Sequence, residues 1–365
     1  MLSMFFQPSM QRRLQRFLRY GACVTALTAT FAICCTLSGG MVYGQSTNVV
    51  DDLGLTSAPA SDNPYHSRCA TQGGCMTPCD SYVFMQADVL ALRKDVSGHA
   101  PLMWNGVTEI YSASELNDKF SVGPRIILGF RVAPQTTVEA TWFDQKTWDG
   151  NAQFYDANGN LYSIFGESNS PIPGVEPSTQ AGLYARSYLA NLELNLRKQI
   201  PIENPNIRSS LFIGTRYFNF DDSIRYELGG DPMRVGTEAN NDIFGGQVGG
   251  SLDFCVGNYC SIALQGAGGI AGNSYHVLQS YTNVLHDRKD SVTTYFGDVD
   301  LSFIWRFSNA AAFNIGYKAI WLDNIATGAD NFGNDWTGFQ NAMNTLEDHT
   351  NAVYHGPHAG FELRY

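Results

Sequence analysis

Ten segments of this 365-residue chain alternate apolar and polar residues with a period of two. The clearest example is the ending Gly360-Phe361-Glu362-Leu363-Arg364-Tyr365, where three apolar side chains alternate with two charged ones. A period of two places successive side chains on opposite faces of a strand. The pattern therefore predicts an all-β protein whose strands each have one apolar and one polar face.

The connections between these segments have two alternating lengths. We predict strands near 81–93, 121–133, 136–148, 184–197, 207–220, 243–255, 259–272, 292–307, 312–322 and 360–365. Short connections follow the second, fourth, sixth and eighth strands, and connections of roughly 20–35 residues follow the others, which is the pattern of outer-membrane barrels. We therefore predict a single antiparallel transmembrane β-barrel over 81–365, with about ten strands in a range of 8–14. Its short turns are expected to be periplasmic and its long loops extracellular.

The polar face of each strand is predicted to point into the barrel. A charge on the lipid side at mid-membrane costs about 2–4 kcal/mol, whereas a water-filled lumen accepts it. The charged residues expected to face the lumen are Arg125, Arg131, Glu139, Glu193, Arg216, Asp253, Asp298, Asp300, Arg306 and Lys318. Both signs occur, so internal salt bridges that plug the lumen are an alternative to an open pore.

A soluble β-sandwich with one wet face is the alternative fold. Aromatic residues near the strand ends favour the membrane barrel, because such residues collect at both membrane interfaces. Phe361, Leu363 and Tyr365 end the chain on the apolar face of the last strand. We expect them to form a C-terminal insertion signal for the barrel-assembly machinery.

The N-terminal region has the features of an export signal. Residues 1–44 contain four arginines, no acidic residue, an apolar run and small residues around Val42-Tyr43-Gly44. We predict a signal peptide over 1–44, with a membrane anchor as the alternative. Residues 45–80 are polar and are expected to form a periplasmic segment that contains cysteines. The predicted location is the bacterial outer membrane, and the expected partner is its lipid.

The charge of the chain excludes nucleic acid as a partner. Without residues 1–44, 19 basic residues stand against 34 acidic ones, a net charge of -15. Nucleic-acid binding requires a basic surface that neutralises phosphates. The sequence does not predict an oligomeric state.

Five cysteines remain after the predicted signal, and export permits disulfides. They are Cys69, Cys75, Cys79, Cys255 and Cys260, and an odd number leaves one without an intramolecular partner. We expect one disulfide within the first three, and one between the last two that locks the turn between the sixth and seventh strands, with free thiols as the alternative for the last two. A zinc site with His66 is a weaker alternative, because the cysteine spacing is not that of a zinc finger.

Two motifs resemble ligand sites but lack the required context. Gly266-x-Gly268-x-x-Ala271 lies inside a strand with no following helix, so it does not predict a dinucleotide site. A weak calcium-loop pattern has Leu161 where such a loop needs glycine. Its residues are Asp156, Asn158, Asn160 and Glu167. We predict no metal and no cofactor.

Several histidines lie in the long connections, where barrel enzymes place catalytic groups at the outer rim. No nucleophile is defined near them, so we predict that the protein is not an enzyme. The residues concerned are His276, His286, Asp287, His355 and His358.

The opening strand Tyr82-Val83-Phe84 and the ending Tyr354-His355-Gly356-Pro357-His358-Ala359-Gly360-Phe361-Glu362-Leu363-Arg364-Tyr365 support a family resemblance. Over 81–365 the chain resembles the β-barrel porins of planctomycete outer membranes, which are related to the Legionella-type major outer-membrane proteins. The resemblance implies an outer-membrane location and a pore, and assigns no catalytic residue. Pro357 departs from the strand pattern because it cannot donate a ladder hydrogen bond, so we expect the last strand to begin after it.

The predicted function is a porin-like channel for small polar solutes. A structural or adhesive surface-display barrel with a plugged lumen is the first alternative. A hydrolase at the outer rim is the second.

Overall fold

The computed structural model describes residues 82–96, 101–112, 115, 119–145, 147–163, 172, 175–229, 233–281, 284–332 and 350–365. The predicted signal peptide and the segment 45–80 lie outside the described residues, and so do His66, Cys69, Cys75, Cys79 and Glu167. Within the described part of the chain, no helix is long and apolar enough to cross a membrane.

The described residues form strands almost throughout. The strands are β1 (Val83–Val96), β2 (Pro101–Asn105), β3 (Thr108–Ser112), β4 (Ser121–Ala133), β5 (Thr136–Asp144), β6 (Trp148–Tyr155), β7 (Leu161–Ser163), β8 (Gln180–Ile200), β9 (Ile207–Leu228), β10 (Met233–Cys255), β11 (Cys260–Tyr281), β12 (Val284–Arg306), β13 (Ala311–Ile325) and β14 (Thr350–Arg364). A 3₁₀ turn, Asp330–Phe332, follows β13.

Ten of these strands close into an antiparallel ring. Its order is β1-β4-β5-β8-β9-β10-β11-β12-β13-β14, and β1 pairs with β14 from Phe84 opposite Arg364 to Val96 opposite Ala352. β6 pairs with the part of β8 beyond β5, and β2, β3 and β7 form a separate small sheet. The even number of strands and the closed ring are those of a transmembrane β-barrel.

Burial alternates along each wall strand as the sequence pattern predicts. On β12, Val299, Leu301 and Phe303 are exposed on the outer wall, whereas Asp298 and Asp300 are buried inside. The apolar side chains are exposed on the outside and the charges are buried inside. This distribution is the reverse of that in a water-soluble protein. The wall is therefore a lipid-facing surface.

The height of the apolar wall matches a membrane. On β10 the outward apolar side chains run from Phe254 to Phe244, a span of 11 residues, and the next outward residue is Asp242. A tilted transmembrane strand needs about 9–11 residues. Beyond Phe244, β10 continues as a polar strand toward Met233.

Two predicted long loops are strands instead. Segments 221–242 and 273–291 extend β9, β10, β11 and β12 to 22 or 23 residues each. The connections shrink to 229–232 and 282–283. Both segments lack a continuous apolar face on the outside because they lie beyond the lipid, but backbone pairing does not require one. The third predicted strand also ends early, at Asp144, and Trp148 begins the separate β6.

The expected start of the last strand is wrong. β14 begins at Thr350 and runs through Pro357, which lies opposite Tyr317 of β13. Proline removes only one donor from the ladder, and the register continues on both sides of it.

The predicted disulfide between Cys255 and Cys260 is not formed. Cys255 lies opposite Ser261 across the turn, so these two side chains share the inner face of the barrel. Cys260 lies next to Ser261 in sequence and opposite Trp305, on the outer face. The hairpin register therefore places the two cysteine side chains on opposite faces of the sheet.

We expect Val299→Arg to destabilise the barrel by about 2–4 kcal/mol, because it places a charge on the lipid-facing wall. The measurement is reversible denaturant unfolding of the protein in lipid vesicles. Ser291→Arg is the matched control on the same strand, exposed and beyond the apolar wall, and should cost within about 0.5 kcal/mol. Equal losses in the two variants would show that the wall does not face lipid.

Candidate functional site in the barrel interior

The predicted lumen residues lie inside the ring. The buried ones are Arg125, Glu139, Glu193, Arg216, Asp298, Asp300, Arg306 and Lys318. Arg131 and Asp253 are partly buried on the same inner faces, nearer the short turns. The barrel interior therefore concentrates charges of both signs.

Arg216 of β9 is the centre of the first charge cluster. Its side chain is 0 % exposed and contacts two carboxylates, Glu193 of β8 at 3.2 Å and Asp298 of β12. Its Nε donates to Asn191 at 2.7 Å. Lys318 of β13 lies 3.1 Å from the other oxygen of Asp298. Two cations and two carboxylates thus join four strands across the interior.

Arg125 of β4 organises the second cluster. It donates to Asp88 of β1 at 2.7 Å and to Asp300 of β12 at 2.8 Å. His358 of β14 lies between the same groups, with Nδ1 3.0 Å from Arg125 and Nε2 3.0 Å from Asp300. These contacts cross the ring between strands that are not neighbours, so the side chains fill the lumen at this level.

A third group lies nearer the short turns. Arg197 of β8 donates to Glu139 at 2.8 Å, to Ser210 at 2.7 Å and to Gln265 of β11 at 2.9 Å. Arg197 is the bridge here, although the sequence analysis did not select it.

An apolar layer closes the barrel on the other side of the Arg216 cluster. Phe218 and Phe296 pack edge to face at 5.5 Å, and Arg216 stacks on Phe218 at 4.3 Å. Phe220 of β9 and Tyr354 of β14 pack at 6.2 Å between ring centroids. β9 and β14 are five strands apart in either direction around the ring, so this contact spans the full diameter.

The segment after β13 covers this apolar layer. Asn241 of β10 donates to the carbonyl of Ala326 at 2.8 Å and accepts from its N–H at 3.0 Å. Asp222 accepts from the N–H of Gly328 at 2.9 Å and from Lys94 of β1 at 2.6 Å. The segment is therefore hydrogen-bonded to the inner faces of β9 and β10.

Asp88, Lys94, Arg197 and Asp222 are interior residues that sequence reasoning missed. Asp88 and Arg197 stand at inward positions of predicted strands, so the alternation contained the signal for both. Lys94 and Asp222 lie just beyond the predicted ends of their strands. Only the longer strands of the structure place these two together.

The histidines are not gathered at one site. His276 lies 2.6 Å from Asp287 on the exposed face of the β11–β12 hairpin. The strand alternation places His286 on the opposite face. On the outer wall, His355 lies 2.8 Å from Asp95 and contacts Tyr317.

His358 and Ser302 do not form a hydrolytic pair with Asp300. The Nε2 of His358 is 3.3 Å from Ser302 and 3.0 Å from Asp300, so serine and carboxylate share one ring nitrogen. A nucleophile–base–acid relay needs the carboxylate on the other nitrogen. In this structure Arg125 occupies that position.

The weak calcium pattern forms a turn. The carboxylate of Asp156 accepts from the backbone N–H of Asn158 at 3.1 Å and of Asn160 at 3.2 Å. The contact with Asn158 is that of an Asx turn, and the contact with Asn160 extends it by two residues. Across the described ranges, no three His, Cys, Asp or Glu side chains are grouped as metal ligands would be.

No family model matches the chain, and no curated relative matches it. Membership in the planctomycete porins therefore stays a prediction. The outer membrane protease OmpT from Escherichia coli is 11 % identical, with a TM-score of 0.49 over 79 % of this chain and 98 % of that one.

Two further solved structures are similar to this chain at lower scores. The translocator domain of the autotransporter NalP from Neisseria meningitidis is 11 % identical, with a TM-score of 0.38 over 78 % of this chain and 89 % of that one. Neisserial surface protein A is 10 % identical, with a TM-score of 0.27 over 78 % and 98 %. At these identities and scores, no function transfers.

We expect Arg216→Leu to destabilise the barrel by about 3–5 kcal/mol, because it leaves Glu193 and Asp298 as buried charges with one cation fewer. Arg186→Leu is the matched control, since Arg186 is exposed and pairs with exposed Asp149 at 3.0 Å. That change should cost about 1 kcal/mol or less. Denaturant unfolding in detergent micelles measures both, and a small loss for Arg216→Leu would contradict the role of the cluster.

Proposed function

We propose that this protein is an outer-membrane β-barrel with a closed interior, which displays a rigid module on the outer surface. The observation that carries this proposal is the contact of Phe220 with Tyr354 across the full diameter of the ring. A ten-stranded ring is narrow. Side chains already fill a barrel of about eight strands, whereas a barrel of 16–18 strands leaves an aqueous channel. The plugged-lumen alternative is therefore favoured over an open pore.

The charge clusters support a closed interior. Arg125, Arg216 and Arg197 each contact residues on strands that are not their neighbours in the ring. Such contacts occur at successive heights between the short turns and the apolar layer. A polar solute that enters from the short-turn side would have to displace buried ion pairs at more than one level, which is costly.

The part beyond the apolar wall supports surface display. The small sheet of β2, β3 and β7 contributes Leu102, Met103 and Leu161 to a core with Leu183 and Leu228 of the extended strands. The hydroxyl of Tyr226 donates to the carbonyl of Leu102 at 2.9 Å. A buried core of its own gives this module a fixed shape, which a structural or adhesive role requires.

The channel for small polar solutes and the rim hydrolase are the competing functions. A channel would require the apolar layer and the segment after β13 to move. A hydrolase would require a nucleophile beside a histidine. His276 instead lies 2.6 Å from Asp287, which in turn lies 3.8 Å from Lys289.

We expect the refolded protein to show no stable single-channel conductance in planar bilayers, because the interior is filled. The triple variant Phe218→Ala, Phe220→Ala, Tyr354→Ala removes the apolar layer and should introduce measurable ion conductance. Phe303→Ala, on the outer wall, is the control and should remain silent. Stable conductance of the unmodified protein would overturn the closed-barrel proposal.

We expect a cysteine at Val107 to react on intact cells with a maleimide that cannot cross membranes. Val107 lies at the tip between β2 and β3 and is 95 % exposed. A cysteine at Gly257, in the short turn between β10 and β11, is the matched control and should react only after lysis. Labelling of both sites, or of neither, on intact cells would contradict the proposed outer-membrane orientation.

A further inference from the structure

We propose that the mouth of the barrel at the short-turn end binds one small oxyanion, a phosphate or a carboxylate, between Arg208 and Arg306. Both arginines face the interior within two residues of the short turns, Arg208 near the start of β9 and Arg306 at the end of β12. We call the site formed by Arg208, Asp253, Ser261, Arg306 and Arg364 the arginine mouth.

The arginine mouth is held together by shared contacts. Arg208 lies opposite Asp253 in the β9–β10 register, and its Nη2 donates to the Oδ2 of Asp253 at 2.6 Å. Arg306 lies 3.5 Å from the same oxygen, and its Nη1 donates to Ser261 of β11 at 2.8 Å. These contacts fix both guanidinium groups in one place, so a ligand would meet a preformed site.

Both arginines have donors that no group of the described residues satisfies. The Nε atoms of Arg208 and Arg306 are buried, and neither makes a hydrogen bond. Arg306 as a whole is only 6 % exposed. A buried charged donor without an acceptor is unfavourable, and an oxyanion can accept from two guanidinium groups at once.

The charge balance around Arg306 also favours an anion. The charged groups that act on Arg306 are Arg208, Arg364, Asp253 and Glu362. Together with Arg306 itself, the guanidinium groups in this set outnumber the carboxylates by three to two. The side chains of Arg208 and Arg364 are 29 % and 26 % exposed, so the mouth is open to water beside the buried Arg306.

The guanidinium group is suited to this ligand class. It is planar, stays charged at physiological pH, and presents paired donors that match phosphate or carboxylate oxygens. The ligand would enter from the side of the short turns, where the chain ends at Tyr365. This site is separate from the Arg216 cluster and does not depend on the barrel being open or closed.

The test is titration of the full chain, refolded in maltoside micelles, with inorganic phosphate and in a separate arm with acetate. We expect saturable binding of at least one probe at one site per chain. Arg306→Gln and Arg208→Gln should each weaken this binding about tenfold or more, because each removes one charge-assisted contact. Arg186→Gln changes an exposed arginine that pairs with Asp149, and it should leave the binding unchanged.

A second variant separates anion binding from a purely structural role. Asp253→Asn removes the carboxylate that competes for both arginines, and it should tighten phosphate binding. Retention of the barrel is checked for every variant by its heat-modifiable migration in gel electrophoresis. The proposal is overturned if the unmodified chain shows no saturable binding of phosphate or acetate. It is also overturned if folded Arg208→Gln binds as tightly as the parent, or if Asp253→Asn weakens binding.

Discussion

The pairing of β1 with β14 is the constraint on which the rest of the structure depends. Lipid offers no hydrogen-bond partner to a backbone N–H or C=O, so a sheet that crosses a membrane must pair both of its edges. The eleven paired positions between β1 and β14 remove the last two edges of the ring. Closure also fixes the inner and outer faces of every strand, because one residue of slip would exchange them.

Closure with only ten strands determines what the interior can contain. Inward side chains from opposite strands meet, as Phe220 and Tyr354 do. Charges that alternation directs inward must then find partners across the ring, because a buried charge without one is costly. Arg125 and Arg216 each contact carboxylates from two strands. The filled lumen follows from a small ring and from inward residues too large for it.

Alternation identified most of the wall and most of the charged interior from sequence. On β12, Asp298, Asp300 and Arg306 were placed on the correct face, because a charge on the lipid side is unfavourable. The prediction of strands from alternation failed beyond the membrane, where no lipid selects apolar residues for the outer face. Segments 221–242 and 273–291 lack a continuous apolar face on the outside, so they resemble loops in sequence although they pair as strands and bury residues such as Ile224 and Tyr275 on the inside. Asp222 lies in the first of these segments, and Lys94 lies just beyond the predicted end of β1, so both were missed.

The sequence by itself determined the β class, the number of wall strands, the short connections on one rim and the face on which the predicted wall residues lie. These properties are local, since they depend on period two and on the exclusion of charge from lipid. Only the tertiary structure decided which inward residues meet, that Cys255 and Cys260 lie on opposite faces, and that an apolar layer crosses the ring. Those contacts join residues far apart in sequence, such as Arg125 and His358, which are 233 positions apart, and no local pattern encodes them.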